Sequence, residues 1–142
     1  MKVLVYDVIA VDEKTLKEFN ARQVSLEELL RSSDFVTLHV PGGPQTYHLI
    51  DINKLKIMKP TAFIINTSRG NVIKEDDLVY ALKNKMIAGA ALDVFEVEPP
   101  TNKELLSLDN VILTPHIGGE TAEAQRLAAT LTVSRLIEAL RQ

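Results

Sequence analysis

The chain has 142 residues, 46% of them apolar, and no cysteine. That length buries one hydrophobic core and is short for two domains, while the missing thiols exclude disulfides, zinc-thiolate sites and cysteine nucleophiles. With 25% charged residues and a formal net charge of -3, no broad basic field exists for nucleic acid or an anionic membrane surface, so small molecules or protein are the expected partners.

The opening run MKVLVYDVIA is broken by Asp7 and carries no small-residue cleavage site, so it does not read as a signal peptide. No stretch reaches the length of a membrane span, and the expected location is cytoplasmic. Onward from there, short apolar runs rich in β-branched residues alternate with longer amphipathic stretches, the pattern of parallel strands joined by crossover helices. Strands are predicted at residues 2–6, 35–40, 62–66, 88–92 and 111–113. Most are apolar at consecutive positions, which suggests a sheet covered on both faces.

Helices are predicted between them. The first spans 12–19; Ser25-Leu-Glu-Glu28 has the form of a capping box opening the second. A third spans 51–58, closed by Pro60, and a fourth spans 75–83 with Leu78, Val79 and Leu82 on one face. Residues 121–140 place Ala124, Leu127, Ala128, Leu131, Ile137 and Leu140 near helical spacing, predicting a long amphipathic helix. The expected fold class is α/β: an incomplete Rossmann-like, doubly wound parallel sheet of about five strands with helices on both faces, forming one domain over 1–142.

In such sheets ligands bind beyond the carboxyl ends of the strands, and every predicted strand here ends in polar or special residues. Asp7 is placed either to accept hydrogen bonds from the vicinal hydroxyls of an adenosine ribose, its charge disfavouring a 2′-phosphate, or simply to start a turn. Arg69, between Ser68 and Gly70, offers a guanidinium that can grip a carboxylate through two parallel bonds; a solvated surface Arg is the alternative. His116 stands between Pro115 and Ile117, ahead of a glycine pair, with a side chain suited to proton exchange near neutrality. Glu98 could orient that imidazole and raise its pKa, or be a solvated loop acid. His39 and His48 have no neighbour at metal-ligand spacing, and no metal site is expected.

Taken in order and at these intervals, NTSRG, ALDVFEVEPP and TPHIGGETAEAQ resemble the signature blocks of D-isomer-specific 2-hydroxyacid dehydrogenases. The resemblance covers essentially the whole chain, and the Ala-Gln of AEAQ is most similar to the 3-phosphoglycerate dehydrogenases. It implies reversible hydride transfer between NAD and C2 of a 2-hydroxy acid or 2-oxo acid. By the same resemblance His116 is the acid/base, Glu98 its polarising partner, and Arg69 the group that binds the substrate carboxylate and carbonyl. Asp93 matches an aspartate near the nicotinamide carboxamide, Asp7 the ribose acid, and Val40, Thr67, Ser68 and the loop from His116 through Gly118 and Gly119 the segments touching the cofactor.

Two departures accompany the match. The family places a strand, a Gly-x-Gly-x-x-Gly turn and a helix before the segment that begins this sequence, and a separate substrate domain elsewhere. Without that turn the pyrophosphate loses its cradle of N–H groups. Without that strand, the one at 2–6 lacks a neighbour on one side, and an open apolar edge invites re-pairing or exchange with a second copy. A homodimer or other self-association is therefore expected. The competing functional reading is a non-catalytic oligomerising or binding module of the same descent; some relatives serve as NAD-sensing transcriptional corepressors.

Overall fold

Parallel strands alternate with helices throughout the computed structural model, which describes residues 1–141. The strands are β1 (Val3–Val5), β2 (Ala21–Gln23), β3 (Phe35–Leu38), β4 (Phe63–Asn66), β5 (Gly89–Leu92) and β6 (Val111–Leu113). The helices are α1 (Glu13–Glu18), α2 (Leu26–Ser32), α3 (Ile52–Ile57), α4 (Glu75–Lys83), α5 (Lys103–Leu106) and α6 (Ala122–Leu140). This is the α/β parallel architecture expected, with two short elements, β2 and α5, that the residue pattern did not single out. Each is only three or four residues long, too short to display a hydrophobic period.

Capping residues fix where the helices begin. Asp12, Ser25, Asp51 and Thr121 each accept a backbone N–H of the first turn through the side chain, satisfying donors that have no partner inside the helix. The capping box at Ser25 is half formed: Ser25 accepts from the Glu28 N–H at 3.2 Å, but the Glu28 carboxylate turns to Arg22 at 2.6 Å. An exposed guanidinium on β2 competes for that carboxylate with the Ser25 backbone.

The strands form a two-stranded sheet, β1-β2, and a four-stranded sheet in the order β3-β4-β5-β6. All pairings are parallel. β1 pairs with β2 and does not re-pair with β3, so within the chain its other edge stays open. That disposes of intramolecular re-pairing, one of the two ways of closing the sheet that the sequence suggested.

The core lies on one face of the larger sheet. Val36, Leu38, Ile64, Ala90 and Leu92 point into it and meet Leu30 of α2, Leu55 of α3, Leu78, Val79, Ala81 and Leu82 of α4, and Leu105 of α5. The opposite face is open: Phe35 is 67% exposed and Ile112 69%, and Phe35 stacks on Phe63 with ring centroids 5.6 Å apart. Within this chain, then, the apolar strands suggested two covered faces and helices cover one. Helix α6 has the predicted length and amphipathic sequence but no buried residue; Leu127, Leu131 and Leu140 are all exposed.

Candidate active site

The register of the four-stranded sheet aligns the ends of its strands. Leu38 pairs with Asn66, Asn66 with Leu92, and Leu92 with Leu113, so the segments that follow these residues emerge along one edge. Arg69, Asp93, Glu98 and His116 therefore come together although up to 47 positions separate them in sequence (116 minus 69).

Arg69 is held by its own turn. The buried Asn66 side chain donates to the Arg69 carbonyl at 2.9 Å and accepts from the N–H and hydroxyl of buried Ser68 at 3.0 and 2.8 Å. Arg69 itself is exposed, with one guanidinium nitrogen donating to the Ser68 carbonyl at 2.6 Å. Its stem lies over Gly42, where a Cβ would sit 3.0 Å from the Arg69 Cγ. The Pro41-Gly42-Gly43 segment thus makes room for this side chain, a role that its spacing could not disclose.

His116 occupies the left-handed backbone region, φ 56°, uncommon for a residue with a Cβ and found where surrounding bonds over-determine the chain. Those bonds come from Asp93. Its buried carboxylate accepts from the Thr114 hydroxyl at 2.6 Å and from the backbone N–H groups of Ile117 and Gly118 at 2.9 and 2.8 Å. Burial pushes the Asp93 carboxyl up, but the Thr114 and N–H bonds outweigh it and hold the group below its ordinary value. Asp93 is thereby the anchor of the loop that presents His116, and Thr114 is a functional neighbour that sequence reasoning missed.

The His116 Nδ1 lies 2.8 Å from one Glu98 carboxylate oxygen. An ionised carboxylate only accepts, so Nδ1 carries the proton in this bond and Nε2 is left to face an incoming molecule. The other Glu98 oxygen accepts from the Phe95 N–H at 3.1 Å. The bond from His116, then that from Phe95, lowers the Glu98 pKa. In return the hydrogen bond and charge of Glu98 raise the His116 pKa, Asp93 adding to the effect and the Arg69 charge opposing it.

Other candidate residues lie around this cluster. Val40, half-buried, follows β3; Thr67, exposed, follows β4; Gly118 and Gly119 are exposed beyond β6. Asp7 lies two residues beyond β1 of the smaller sheet, exposed, with one carboxylate oxygen accepting the Ile9 N–H at 3.0 Å. The bond closes the turn that starts at Asp7. His39 meets the Thr37 hydroxyl at 2.9 Å, and His48 meets Glu96 at 2.5 Å. Among the described residues no cluster of His, Cys, Asp or Glu is arranged to hold a metal, and no helix is long and apolar enough to cross a membrane.

A parallel sheet whose carboxyl edge carries an imidazole-carboxylate pair and an arginine is of the α/β class that binds ligands at that edge, and comparison with known proteins specifies which. Residues 1–118 match the family described as D-isomer specific 2-hydroxyacid dehydrogenase, NAD binding domain, and the chain belongs to that family. It is 49% identical over 137 residues to a glyoxylate reductase of Thermococcus litoralis, spanning 96% of this chain but 41% of that protein. The crystal structure of a glyoxylate reductase from Paecilomyes thermophila superposes with a TM-score of 0.93 at 34% identity, covering 100% of this chain and 43% of the other. D-Lactate dehydrogenase from Aquifex aeolicus, complexed with NAD and lactic acid, gives a TM-score of 0.85 at 36% identity over 99% of this chain and 46% of that one. The chain thus spans about two fifths of the length of the curated relatives it matches.

The cofactor of this domain is NAD, and the residues present suit it in kind. Asp7, beyond β1, uses one carboxylate oxygen for the Ile9 N–H, and among the described residues no donor meets the other, while Gly119 leaves its surroundings open, a Cβ there meeting nothing within 4 Å. A Cβ on Gly118, by contrast, would come within 2.9 Å of the Asp93 carboxylate, so only glycine lets the loop close on its anchor.

Proposed function

We propose that this chain supplies the cofactor-binding and acid/base half of an NAD-dependent oxidoreductase acting at C2 of a D-2-hydroxy acid or the matching 2-oxo acid. The observation that carries this reading is the Glu98-His116 pair at 2.8 Å, with Arg69 in the turn that follows β4 on the same edge of the sheet. NAD, when bound, supplies the hydride chemistry. Asp7 would hold its ribose, and Val40, Thr67, Ser68, Asp93, Gly118 and Gly119 would line the segments against it. Arg69 would grip the substrate carboxylate, and His116 would give a proton from Nε2 to the carbonyl oxygen in reduction or take it back in oxidation. Glu98 keeps the imidazole in the tautomer and orientation for that transfer.

Within this class glyoxylate is the first substrate to test, because it names the curated relatives at 49% and 50% identity. The AEAQ segment keeps 3-phosphoglycerate as the competing candidate. NADH consumption with glyoxylate is to be compared with NAD reduction by D-3-phosphoglycerate. Turnover of neither by the protein, together with no heat of NAD binding in calorimetry, would favour the second reading, a non-catalytic module in a self-associating protein. That reading draws support from the open edge of β1 and the exposed apolar face of the larger sheet. Light scattering tests the self-association directly, a homodimer being the expected state. A cytoplasmic location is part of the same proposal.

A further inference from the structure

A second imidazole-carboxylate pair lies beside the first. His48 Nε2 is 2.5 Å from Glu96 Oε1, the two side chains being 24% and 29% exposed. Like His116, His48 sits in the left-handed region, φ 50°, and the ring of Tyr47 stacks on it at 3.9 Å. Its backbone N–H donates to the Asn71 carbonyl at 2.8 Å, and Ile50 and Ile73 form a parallel bridge. The segment carrying His48 is thus fastened to the stretch that continues from Arg69. Glu96 belongs to the loop of residues 94–98, the loop that carries Glu98.

We propose that His48 and Glu96 are positioning residues that clamp this loop against the Arg69 turn, holding Glu98 where it bonds His116. The proposal rests on the acid/base reading of the Glu98-His116 pair. Glu98 is tethered within its own loop by a single bond, from the Phe95 N–H, so its position follows that of the loop backbone. On one side the loop lies against Gly70, whose hypothetical Cβ would fall 1.9 Å from the Phe95 carbonyl. His48 grips the other part of the loop through the Glu96 side chain. Near it stands Glu75 of α4, whose pKa is pushed up by burial first and then by the charges of Glu96 and Asp76. Glu75 and Asp76 are the acids at the start of α4, and Glu75 repels Glu96. His48 is the one donor given to the Glu96 carboxylate among the described side chains, and without it that repulsion would drive the loop outward.

The test follows the His116 ring by heteronuclear NMR titration, which the presence of three histidines keeps assignable, and uses the protein as it stands. Glu98→Gln must lower the His116 midpoint; if it does not, the acid/base reading fails and the present proposal with it. Given that fall, His48→Leu and Glu96→Ala are each expected to lower the midpoint in the same direction and by less, and the double variant by no more than either single one. His48→Gln keeps an N–H donor and should restore most of the native value. A native His116 midpoint in both His48→Leu and Glu96→Ala, with Glu98→Gln lowering it, would overturn the clamp while leaving the acid/base pair intact. Should His48→Leu fail to fold, Glu96→Ala alone decides, since its side chain is partly exposed and its removal leaves no cavity. In turnover assays the expected signature is a fall in kcat of several fold with KM for the 2-oxo acid nearly unchanged.

Discussion

Replacing Gly70 with alanine tests how rigidly the Arg69 turn and the Glu98 loop are joined. A Cβ built there would lie 1.9 Å from the carbonyl carbon and oxygen of Phe95 and 2.6 Å from the Glu96 nitrogen, whereas ordinary contact begins at 3.4 Å. The two backbones must therefore part by about 1.5 Å (3.4 minus 1.9), and no flexible side-chain tip is present to absorb the strain. Overpacking of a well-filled interior costs about 1–3 kcal/mol, and a clash with backbone on both partners places Gly70→Ala near about 3 kcal/mol. With a urea m-value of about 2 kcal/mol/M for a chain of this size, the midpoint falls by about 1.5 M. The same displacement carries Glu98 away from His116 and lowers the His116 midpoint in an NMR titration. Urea unfolding within about 0.5 kcal/mol of wild type, accompanied by an unshifted His116, would refute the reasoning, because it would mean that the contact is relieved at no cost to either segment.

The core makes a simpler prediction: Leu55→Ala empties a site of 0% exposure where α3 packs under the sheet and should cost about 2–5 kcal/mol in chemical denaturation. Asp51→Ala removes the side-chain acceptor for the Lys54 N–H at 3.0 Å, and about 1 kcal/mol of stability should go with it in the same assay. Thr114→Val deletes the 2.6 Å bond to buried Asp93; the loop of residues 114–118 should then exchange its amide protons faster while the rest of the sheet stays protected. For the Glu98-His116 pair the two pKa shifts act at opposite ends of the pH scale. The raised His116 value contributes stability below its ordinary pKa that is lost as pH rises through the folded one, and the lowered Glu98 value contributes stability above its ordinary pKa that is lost as pH falls through the folded one. The wild-type advantage over Glu98→Gln should accordingly be greatest between these two limits and fade on both sides, as thermal unfolding across pH would show.

Local chemistry written in adjacent residues was legible in the sequence. The alternation of β-branched runs with amphipathic stretches specified parallel α/β structure, and Asp12, Asp51 and Thr121 marked helix starts within a residue, because a cap needs only its own first turn. The blocks NTSRG, DVFEVEPP and TPHIGG pointed to Arg69, Glu98 and His116 as candidates through their resemblance, in order, to a family's signature blocks, not through any one residue type. What depended on distant partners was not legible. The strand β2 is defined by pairing with β1, not by any periodicity of its own, and Glu28 left its expected capping bond for an arginine on β2. That Asp93 anchors the His116 loop, that Gly42 makes room for Arg69, and that His48 meets Glu96 across 48 positions are decided by the parallel register, which lines up strand ends far apart in sequence. Sequence fixes which groups can donate, accept or carry charge, since these are properties of single residues; only the packed sheet determines which of them meet, since hydrogen bonds and charge coupling depend on separations of a few ångströms that the fold alone sets.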